Sequence, residues 1–256
     1  MQIIVPMTGL GIRFRDAGYE TLKPLILVEG KPIIEHVVNL YPKENDFLFI
    51  VRKEHIESTP IINVLKKLCP TGKIKIINGH KLGPVYAVRQ VYDFISDSKP
   101  AIINYCDFYM NWDYLEFKKF TIETGCDGAI PCYTGFHPHL LHENNLYASC
   151  KVNNKMELLE IKEKFSFDRD KSKAFHSGGN YYFKNGSILK TYCNKLIENK
   201  DSLNGEYYVS LVYNSMCKDG LKTLIYDKIN HFCQWGTPFD LEEYNYWSEI
   251  FKIKKS

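Results

Sequence analysis

The sequence predicts an α/β fold in which helices cover both faces of a mainly parallel, partly mixed sheet. Short apolar runs rich in Ile and Val alternate with segments of helical periodicity throughout the first half of the chain. The 256 residues are 45% hydrophobic, contain no internal repeat or linker, and suffice to bury one full core. We therefore expect a single domain over 1–256, made of two halves, 1–130 and 131–256.

Four strands are predicted in the first half, at 2–6, 47–51, 74–77 and 101–105, because these runs are short and apolar as buried parallel strands are. The spacing of apolar residues between them predicts helices over 33–40, 56–68, 85–95 and 115–124. In alternating folds of this kind, ligands bind beyond the carboxyl ends of the strands.

In the second half of the chain, the predicted strands and helices follow a different order. Strands over 146–152 and 156–161 are separated by Asn153-Asn154-Lys155, which is typical of a hairpin turn. A further strand is predicted over 175–183, although it contains the loop-like Ser177-Gly178-Gly179-Asn180. Helices over 188–197 and 209–218 and strands near 221–226 and 231–234 should follow. Since proline suits a first helical turn, a closing helix should begin at Pro238.

Composition and charge disfavour several classes of partner. The net charge is only +3, which gives no field suited to nucleic acid or an acidic membrane. No apolar run approaches the ~20 residues of a membrane span. The first residues carry no basic segment of the kind that precedes a secretion signal, so we expect a cytoplasmic protein. The basic tail at 252–256 is expected to be solvated.

Cysteine and histidine spacing does not predict a zinc site. The eight cysteines are scattered and form no C-x-x-C, which favours free thiols in a reducing compartment. The histidines of the segment Phe136-His137-Pro138-His139-Leu140-Leu141-His142 match no standard metal-binding spacing. We therefore expect this segment to serve another purpose.

A glycine-containing loop follows the first predicted strand. Gly9-Leu10-Gly11-Ile12-Arg13 comes directly after an apolar run, and Lys23-Pro24 follows. Without a Cβ, glycine lets backbone N–H groups approach a phosphate closely, while Arg13 and Lys23 supply positive charge. The loop differs from both common nucleotide fingerprints, because Phe14 replaces the third glycine of G-x-G-x-x-G and no Gly-Lys precedes Ser or Thr. A phosphate site of another type is predicted at Gly9, Leu10, Gly11, Arg13 and Lys23.

An aspartate stands at the end of a neighbouring predicted strand. Asp107 follows the run 102–106, so its carboxylate should face the same edge of the sheet as the glycine loop. Mg²⁺ binds hard oxygen ligands, commonly one or two carboxylates with phosphates and water. We therefore predict that Asp107 is a metal ligand and that Asp107, Arg13 and Lys23 are catalytic.

The pattern G-x-G-x-R followed by K-P resembles the signature loop of the nucleotidyltransferases that activate sugar phosphates and phosphocholine. Lys31-Pro32-Ile33-Ile34 and Trp235-Gly236-Thr237-Pro238 resemble other segments of that family, in its order. The resemblance implies a Rossmann-like sheet of the nucleotidyltransferase type and Mg²⁺-dependent transfer of a nucleoside monophosphate to a phosphorylated small molecule. The short chain is similar to the cytidylyltransferases of capsule and lipopolysaccharide clusters, which implies CTP as the donor.

The same resemblance implies roles for individual residues. Arg13 would stabilise the departing pyrophosphate and Lys23 the α-phosphate. The segment 78–84 is similar to the stretch that contacts the base, which implies Asn78 and Gly83 as nucleotide-binding residues. The first half of the chain would bind nucleotide and the second half the acceptor. The chain also resembles the family in an E-K-P motif, in the strand that lines the acceptor pocket and in a motif on the substrate side. These matches imply four acceptor-binding residues, Glu163, Lys164, Gly179 and Glu206.

Three positions depart from the family pattern, and two other functions stay open. Ile12 replaces Thr or Ser, Phe165 replaces proline, and Gln234 replaces an aspartate that binds the metal in several members. A glycosyltransferase using a nucleotide sugar is the first alternative, but Asp107-Phe108-Tyr109 lacks the second aspartate of D-x-D. The second alternative is a catalytically silent nucleotide-binding module, which the joint presence of Arg13, Lys23, Asp107 and Lys164 disfavours.

Overall fold

A mixed sheet forms the centre of the molecule in the computed structural model, which describes residues 1–253; residues 254–256, the end of the predicted basic tail, lie outside the described residues. Its strands are β1 (Gln2–Met7), β4 (Asp46–Arg52), β5 (Lys73–Ile77), β6 (Ala101–Asn104), β8 (Gly128–Tyr133), β9 (Ser149–Val152), β10 (Leu158–Lys162), β11 (Phe175–Ser177), β12 (Asn180–Phe183) and β13 (Thr223–Tyr226).

The order of these strands is β10-β9-β11-β8-β12-β6-β1-β4-β5, and β13 pairs in parallel with β8. The four strands β6, β1, β4 and β5 pair in parallel, as the alternation of strands and helices in the first half predicted. β12 is antiparallel to both β6 and β8 and joins the two halves of the sheet. The predicted mixed α/β sheet is therefore confirmed.

Two small sheets lie outside the central one. β2 (Leu27–Val28) pairs with β3 (Lys31–Pro32), and β7 (Phe108–Trp112) pairs with β14 (Ile229–Gln234), both antiparallel. The strand β7 was not predicted, since it follows Asp107 directly and its partner is more than 100 residues away. Its pairing sets Gln234 opposite Phe108, which brings the end of β14 beside Asp107.

The helices pack on the two faces of the central sheet. They are α1 (Ile12–Asp16), α2 (Ile33–Asn39), α3 (Lys53–Ser58), α4 (Ile61–Leu68), α5 (Gly83–Arg89), α6 (Tyr114–Thr124), α7 (Gly186–Glu198), α8 (Val209–Lys218) and α9 (Pro238–Ile253). Two large apolar clusters, one on each face, bury the strand residues of β1 alternately: Ile4 on one face, Ile3 and Val5 on the other. None of the helices within 1–253 combines the length and apolar character needed to cross a lipid bilayer.

Three predicted elements are wrong in detail. The helix over 56–68 is two helices, because Pro60 lacks an N–H and Thr59 before it is extended (φ −144°, ψ 158°). The helix over 85–95 ends at Arg89 and is followed by a 3₁₀ turn. The strand over 175–183 divides into β11 and β12 at Gly179, whose φ of +80° is left-handed.

Candidate active site

The glycine loop lies at the carboxyl end of β1. Gly11 has φ +62° and ends the extended chain, so the backbone turns directly into α1. α1 holds Phe14 in a buried cluster with Trp235, while the Arg13 side chain stays exposed at the mouth of the loop. The burial of Phe14 therefore explains why an aromatic residue can occupy the place of a third glycine.

Three distant segments meet at Asp107. The Lys23 ammonium donates to Asp107 Oδ2 at 2.7 Å and to the Gly236 carbonyl oxygen at 3.0 Å. The Trp235 N–H donates to the Asp107 carbonyl oxygen at 3.0 Å. Both charged side chains are partly exposed, at 16% for Lys23 and 28% for Asp107. The segment directly after β14 therefore holds Lys23 and Asp107 in place, and both side chains remain accessible to a ligand.

A cavity of about 460 Å³, called the first cavity below, opens beside this pair. Its floor is the loop after β1, and the side chains of Lys23 and Asp107 form one wall. Cys106 also lines it, but burial raises the pKa of its thiol to about 12, so the thiol is not a nucleophile near neutral pH. The remaining lining residues include His80, Lys81, Gly83, Pro84, Tyr105, Glu206, Tyr208 and Gly236.

Gly83 closes the first cavity against the segment that precedes α8. The Tyr207 N–H donates to the Leu82 carbonyl oxygen at 3.0 Å, and the Val85 N–H donates to the Tyr207 carbonyl oxygen at 3.1 Å. Gly83 has φ +83°, and a Cβ placed there would lie 2.7 Å from the Tyr207 nitrogen. Only glycine therefore permits this contact.

Gly83→Ala should change the first cavity and lower the melting temperature, because the added methyl group separates the loop from Tyr207. We expect a ligand of the first cavity to bind several-fold more weakly and the free energy of unfolding to fall by about 1–3 kcal/mol, from strain at positive φ together with the clash. Gly18→Ala is the matched control, since Gly18 has φ +85° but a Cβ there has no atom within 4 Å. Equal effects of the two substitutions would show that backbone strain alone, and not the Tyr207 contact, is responsible.

A second cavity of about 170 Å³ lies on the other side of Asp107. Glu163, which follows β10, and Gly179, at the turn between β11 and β12, both line it. The Glu163 carboxylate accepts a hydrogen bond from the Ser210 hydroxyl, and burial raises the pKa of this carboxyl group. Six aromatic residues also line it: Tyr105, Phe108, Tyr147, Tyr181, Tyr208 and Phe232.

The two cavities share a wall. Arg13, Tyr105, Asp107, Tyr208 and Gly236 line both of them. Tyr105 is held in place because its hydroxyl accepts from the Val209 N–H at 3.1 Å, and its own N–H donates to the Gly179 carbonyl oxygen at 3.0 Å. Two ligands, one in each cavity, would therefore meet at Arg13 and Asp107.

The residues beside Asp107 fit a magnesium ion that is shared with phosphates. A Cβ on Gly236 would lie 2.3 Å from the Gln234 amide nitrogen and 3.4 Å from Asp107 Oδ2, so both side chains border the space that glycine leaves free. No group of three His, Cys, Asp or Glu side chains suited to a metal occurs within residues 1–253. One carboxylate, that of Asp107, suits Mg²⁺, which usually retains water and substrate phosphates, while the neutral Gln234 amide is a poorer ligand than a carboxylate.

The structure does not bring all predicted site residues to these cavities. Asn78 is exposed at the end of β5 and lines neither cavity, while His80, two residues later, lines the first. Lys164 is exposed and also lines neither, because the chain turns at its φ of +52° and leaves Glu163 inside. Glu206, expected on the acceptor side, lines the first cavity. Gly9, Leu10 and Gly11 line the first cavity as well.

Sequence reasoning missed several lining residues. Tyr105 lies two positions before Asp107. The end of the apolar run, which identified Asp107 as a candidate, could therefore have identified Tyr105 as well. Tyr208 immediately precedes α8, where a helix begins at the edge of the site. Arg52, a buried cation at the end of β4, donates from Nη1 to the carbonyl oxygens of Thr8 and His80, both at 3.2 Å, and so joins two loops of the first cavity. The sequence signal for Arg52 was the presence of a charged residue at the end of an apolar strand.

The histidine segment packs beneath β14. His139 Nε2 and the Tyr133 hydroxyl are 2.8 Å apart, and the Phe232 N–H donates to His137 Nε2 at 3.3 Å. Burial lowers the pKa of His137 to about 4 and that of His139 to about 3. These rings therefore remain neutral in the folded protein and act as packing groups that support β14 and Phe232.

Acid should destabilise the protein through these histidines. Their pKa values are lower in the folded than in the unfolded chain, so the unfolded state binds more protons once the pH falls below about 6.5. Stability should then decrease from pH 6.5 to about 4, by up to about 1.4 kcal/mol per pH unit for each histidine. Thermal unfolding across this range should show a shallower dependence for His139→Gln than for the unmodified protein. An unchanged dependence would contradict the assignment, and His142→Gln controls for substitution in the same segment.

Three solved structures are similar over nearly the whole chain. They are a nucleoside-diphosphate-sugar pyrophosphorylase from Vibrio cholerae RC9 (18% identity, TM-score 0.77, covering 96% of this chain and 100% of that chain), a putative glucose-1-phosphate thymidylyltransferase from Bacillus anthracis in complex with a sucrose (20%, 0.75, 96% and 94%), and HddC from Yersinia pseudotuberculosis (18%, 0.62, 95% and 99%).

No family model and no curated protein matches the sequence. At identities of 18–20% the structural likeness establishes the fold, and it confirms the predicted sheet of the nucleotidyltransferase type.

Proposed function

We propose that this protein is a nucleotidyltransferase, which moves a nucleoside monophosphate from a nucleoside triphosphate to a phosphorylated small molecule and releases pyrophosphate. The observation that carries the proposal is the pair of cavities that meet at Arg13 and Asp107. The first cavity has the size and the glycine loop for a nucleotide, and the second admits a small acceptor. The chain's two halves, 1–130 and 131–256, supply most of the first and second cavity, respectively.

In the proposed reaction an acceptor phosphate oxygen attacks the α-phosphorus, and the bond from that phosphorus to the bridging oxygen of pyrophosphate breaks. This displacement needs alignment and charge stabilisation more than covalent help from the protein. The acceptor needs no general base, because the second pKa of a phosphate monoester is about 6. Asp107, with Gln234, would hold Mg²⁺, which supplies charge neutralisation and a template for the phosphates.

The two cations have different parts in this reaction. Lys23 uses two donors on Asp107 and Gly236, and its third N–H can reach the α-phosphate as negative charge develops. Arg13, exposed at the shared wall, stabilises the departing pyrophosphate through its planar fork of donors. Both contacts strengthen in the transition state and therefore act mainly on kcat.

The finer proposal is transfer of CMP from CTP to phosphoglutamine in capsular phosphoramidate synthesis. It is supported by the sequence resemblance to capsule cytidylyltransferases, and a sugar 1-phosphate or phosphocholine is the alternative acceptor. We assign base recognition to backbone groups around Gly83 and to Asn78, which would have to turn toward the first cavity. Lys164, exposed beside Glu163, would likewise approach the acceptor phosphate.

Pyrophosphate release should be measured with each of the four common nucleoside triphosphates and a panel of phosphorylated acceptors. CTP should be preferred over ATP by about tenfold or more in kcat/KM, because a mismatched base leaves buried polar groups unpaired at about 1–3 kcal/mol each. Equal rates with ATP and CTP below saturation would contradict the cytidylyl proposal alone. Absence of pyrophosphate release with every pair would contradict the whole proposal.

A further inference from the structure

The second cavity contains a carboxylate that the reaction described above does not use. Glu163 lines this cavity, and within residues 1–253 its side chain has no cation within 4 Å; its protein partner is the Ser210 hydroxyl. The other carboxylate on the cavity wall, Asp107, is already paired with Lys23. A buried carboxylate is costly unless a positive charge or several hydrogen bonds compensate it.

The bond to Ser210 does not account for the negative charge at this position. A serine hydroxyl donates one proton, which an amide oxygen of glutamine would accept equally well. Burial also raises the pKa of the Glu163 carboxyl group, so the folded protein without a ligand disfavours its charged form. A cation that enters the cavity would reverse this effect, because an opposite charge at short range favours the carboxylate.

The rest of the cavity wall suits the same kind of ligand. Tyr105, Tyr181 and Tyr208 line this cavity together with Glu163. Burial is the main cause of the raised pKa of each phenol, and the charge of Glu163 adds to it, although for Tyr208 the Glu206 carboxylate contributes more. Aromatic rings attract ammonium groups through their faces, and such rings together with a carboxylate form the usual surroundings of a bound ammonium. Arg13, Tyr105 and Tyr208 lie on the wall shared with the first cavity, whereas Glu163 and Tyr181 line the second cavity alone. The second cavity therefore presents a cation at the shared wall and a carboxylate outside that wall.

We propose that Glu163 recognises a positively charged nitrogen on the acceptor, so that the acceptor is a phosphorylated small molecule bearing an ammonium group. The proposal rests on the nucleotidyltransferase function proposed above and narrows its acceptor. The acceptor phosphate lies toward Arg13 and the shared wall, while its ammonium group lies beside Glu163 and Tyr181. The hydroxyl groups of a sugar 1-phosphate can donate hydrogen bonds to this carboxylate but do not compensate its charge.

Two acceptor pairs, each matched in shape, test this assignment. Phosphocholine is compared with 3,3-dimethylbutyl phosphate, its uncharged carbon analogue, and phosphoglutamine with its α-N-acetyl derivative, by pyrophosphate release with CTP. In at least one pair kcat/KM should be at least about tenfold higher for the ammonium compound, since a charge-assisted contact is lost in the other. Glu163→Gln should reduce this ratio to about one, mainly by raising the KM of the ammonium compound.

Glu160→Gln is the matched control, because Glu160 lies on β10 three residues before Glu163, its side chain is 41% exposed and it pairs with Lys162 at the surface. It should leave the ratio unchanged, and thermal unfolding should verify that both variants are folded. Equal kcat/KM within both pairs, turnover of sugar 1-phosphates alone, or a ratio that survives Glu163→Gln would overturn the assignment while the nucleotidyltransferase function stands.

A binding titration separates the two proposals if no acceptor is turned over. Calorimetry with phosphocholine, phosphoglutamine and their uncharged analogues measures recognition without chemistry. At least about tenfold tighter binding of one ammonium compound, lost in Glu163→Gln, would support the recognition site even though the reaction had failed. Binding that does not distinguish either pair would overturn it.

Discussion

Asp107→Asn should abolish nucleotidyl transfer, with a fall in kcat of about a thousandfold or more and little change in stability. Among the residues that the structure describes, Asp107 is the carboxylate that lines both cavities, whereas Glu206 lines only the first and Glu163 only the second. In the proposed mechanism the Asp107 carboxylate holds the metal, so losing its charge should remove several kcal/mol of transition-state stabilisation, and each ~1.4 kcal/mol is tenfold in rate.

The asparagine has nearly the shape of the aspartate, so the backbone contact with Trp235 should persist. Lys23 loses its ionic partner, but it is partly exposed and keeps the Gly236 carbonyl oxygen. Steady-state pyrophosphate release and thermal unfolding should be measured together, with Asp93→Asn as an exposed-surface control. Near-normal turnover of Asp107→Asn with Mg²⁺ would remove Asp107 from the mechanism.

Lys23→Ala should reduce kcat by about two orders of magnitude or more, and Arg13→Ala should do so to a similar extent. The Lys23 ammonium lies 2.7 Å from Asp107, which is on the shared wall, and Arg13 lines both cavities. In the proposed reaction, negative charge develops on the α-phosphate at this wall. Removing a preorganised donor of this kind typically costs 10²–10³-fold in kcat, roughly 3–4 kcal/mol. The KM for nucleotide should rise much less than kcat falls.

Arg15→Ala is a close control for Arg13→Ala, since Arg15 lies on the same short helix, is exposed, and lines neither cavity. It should leave both kcat and KM near the values of the unmodified protein. If Lys23→Ala and Arg13→Ala raise only KM, the two residues bind the ground state of the nucleotide and their catalytic roles are wrong.

Local patterns in the sequence predicted much of the fold. The parallel strands β1 and β4 are largely apolar runs, and their burial on both faces is why they could be recognised without their partners. Helix α8 matches its predicted bounds, Val209–Lys218, because its apolar stripe and flanking residues are local features. The division at Pro60 shows why apolar periodicity predicted one helix where there are two. The apolar spacing continues through Pro60, but proline has no backbone N–H and interrupts the helix there.

The sequence by itself determined that a glycine loop, two cations and an aspartate follow buried strands, which was enough to place Arg13, Lys23 and Asp107 at one edge of the sheet. Only the tertiary structure decided that Lys23 pairs with Asp107 and that Glu163 points into a cavity while Lys164 does not. These outcomes depend on contacts between segments far apart in the chain, such as β14 with β7 and Tyr207 with Gly83. Such contacts arise from packing and backbone geometry, and they leave no periodic signal in the residues that make them.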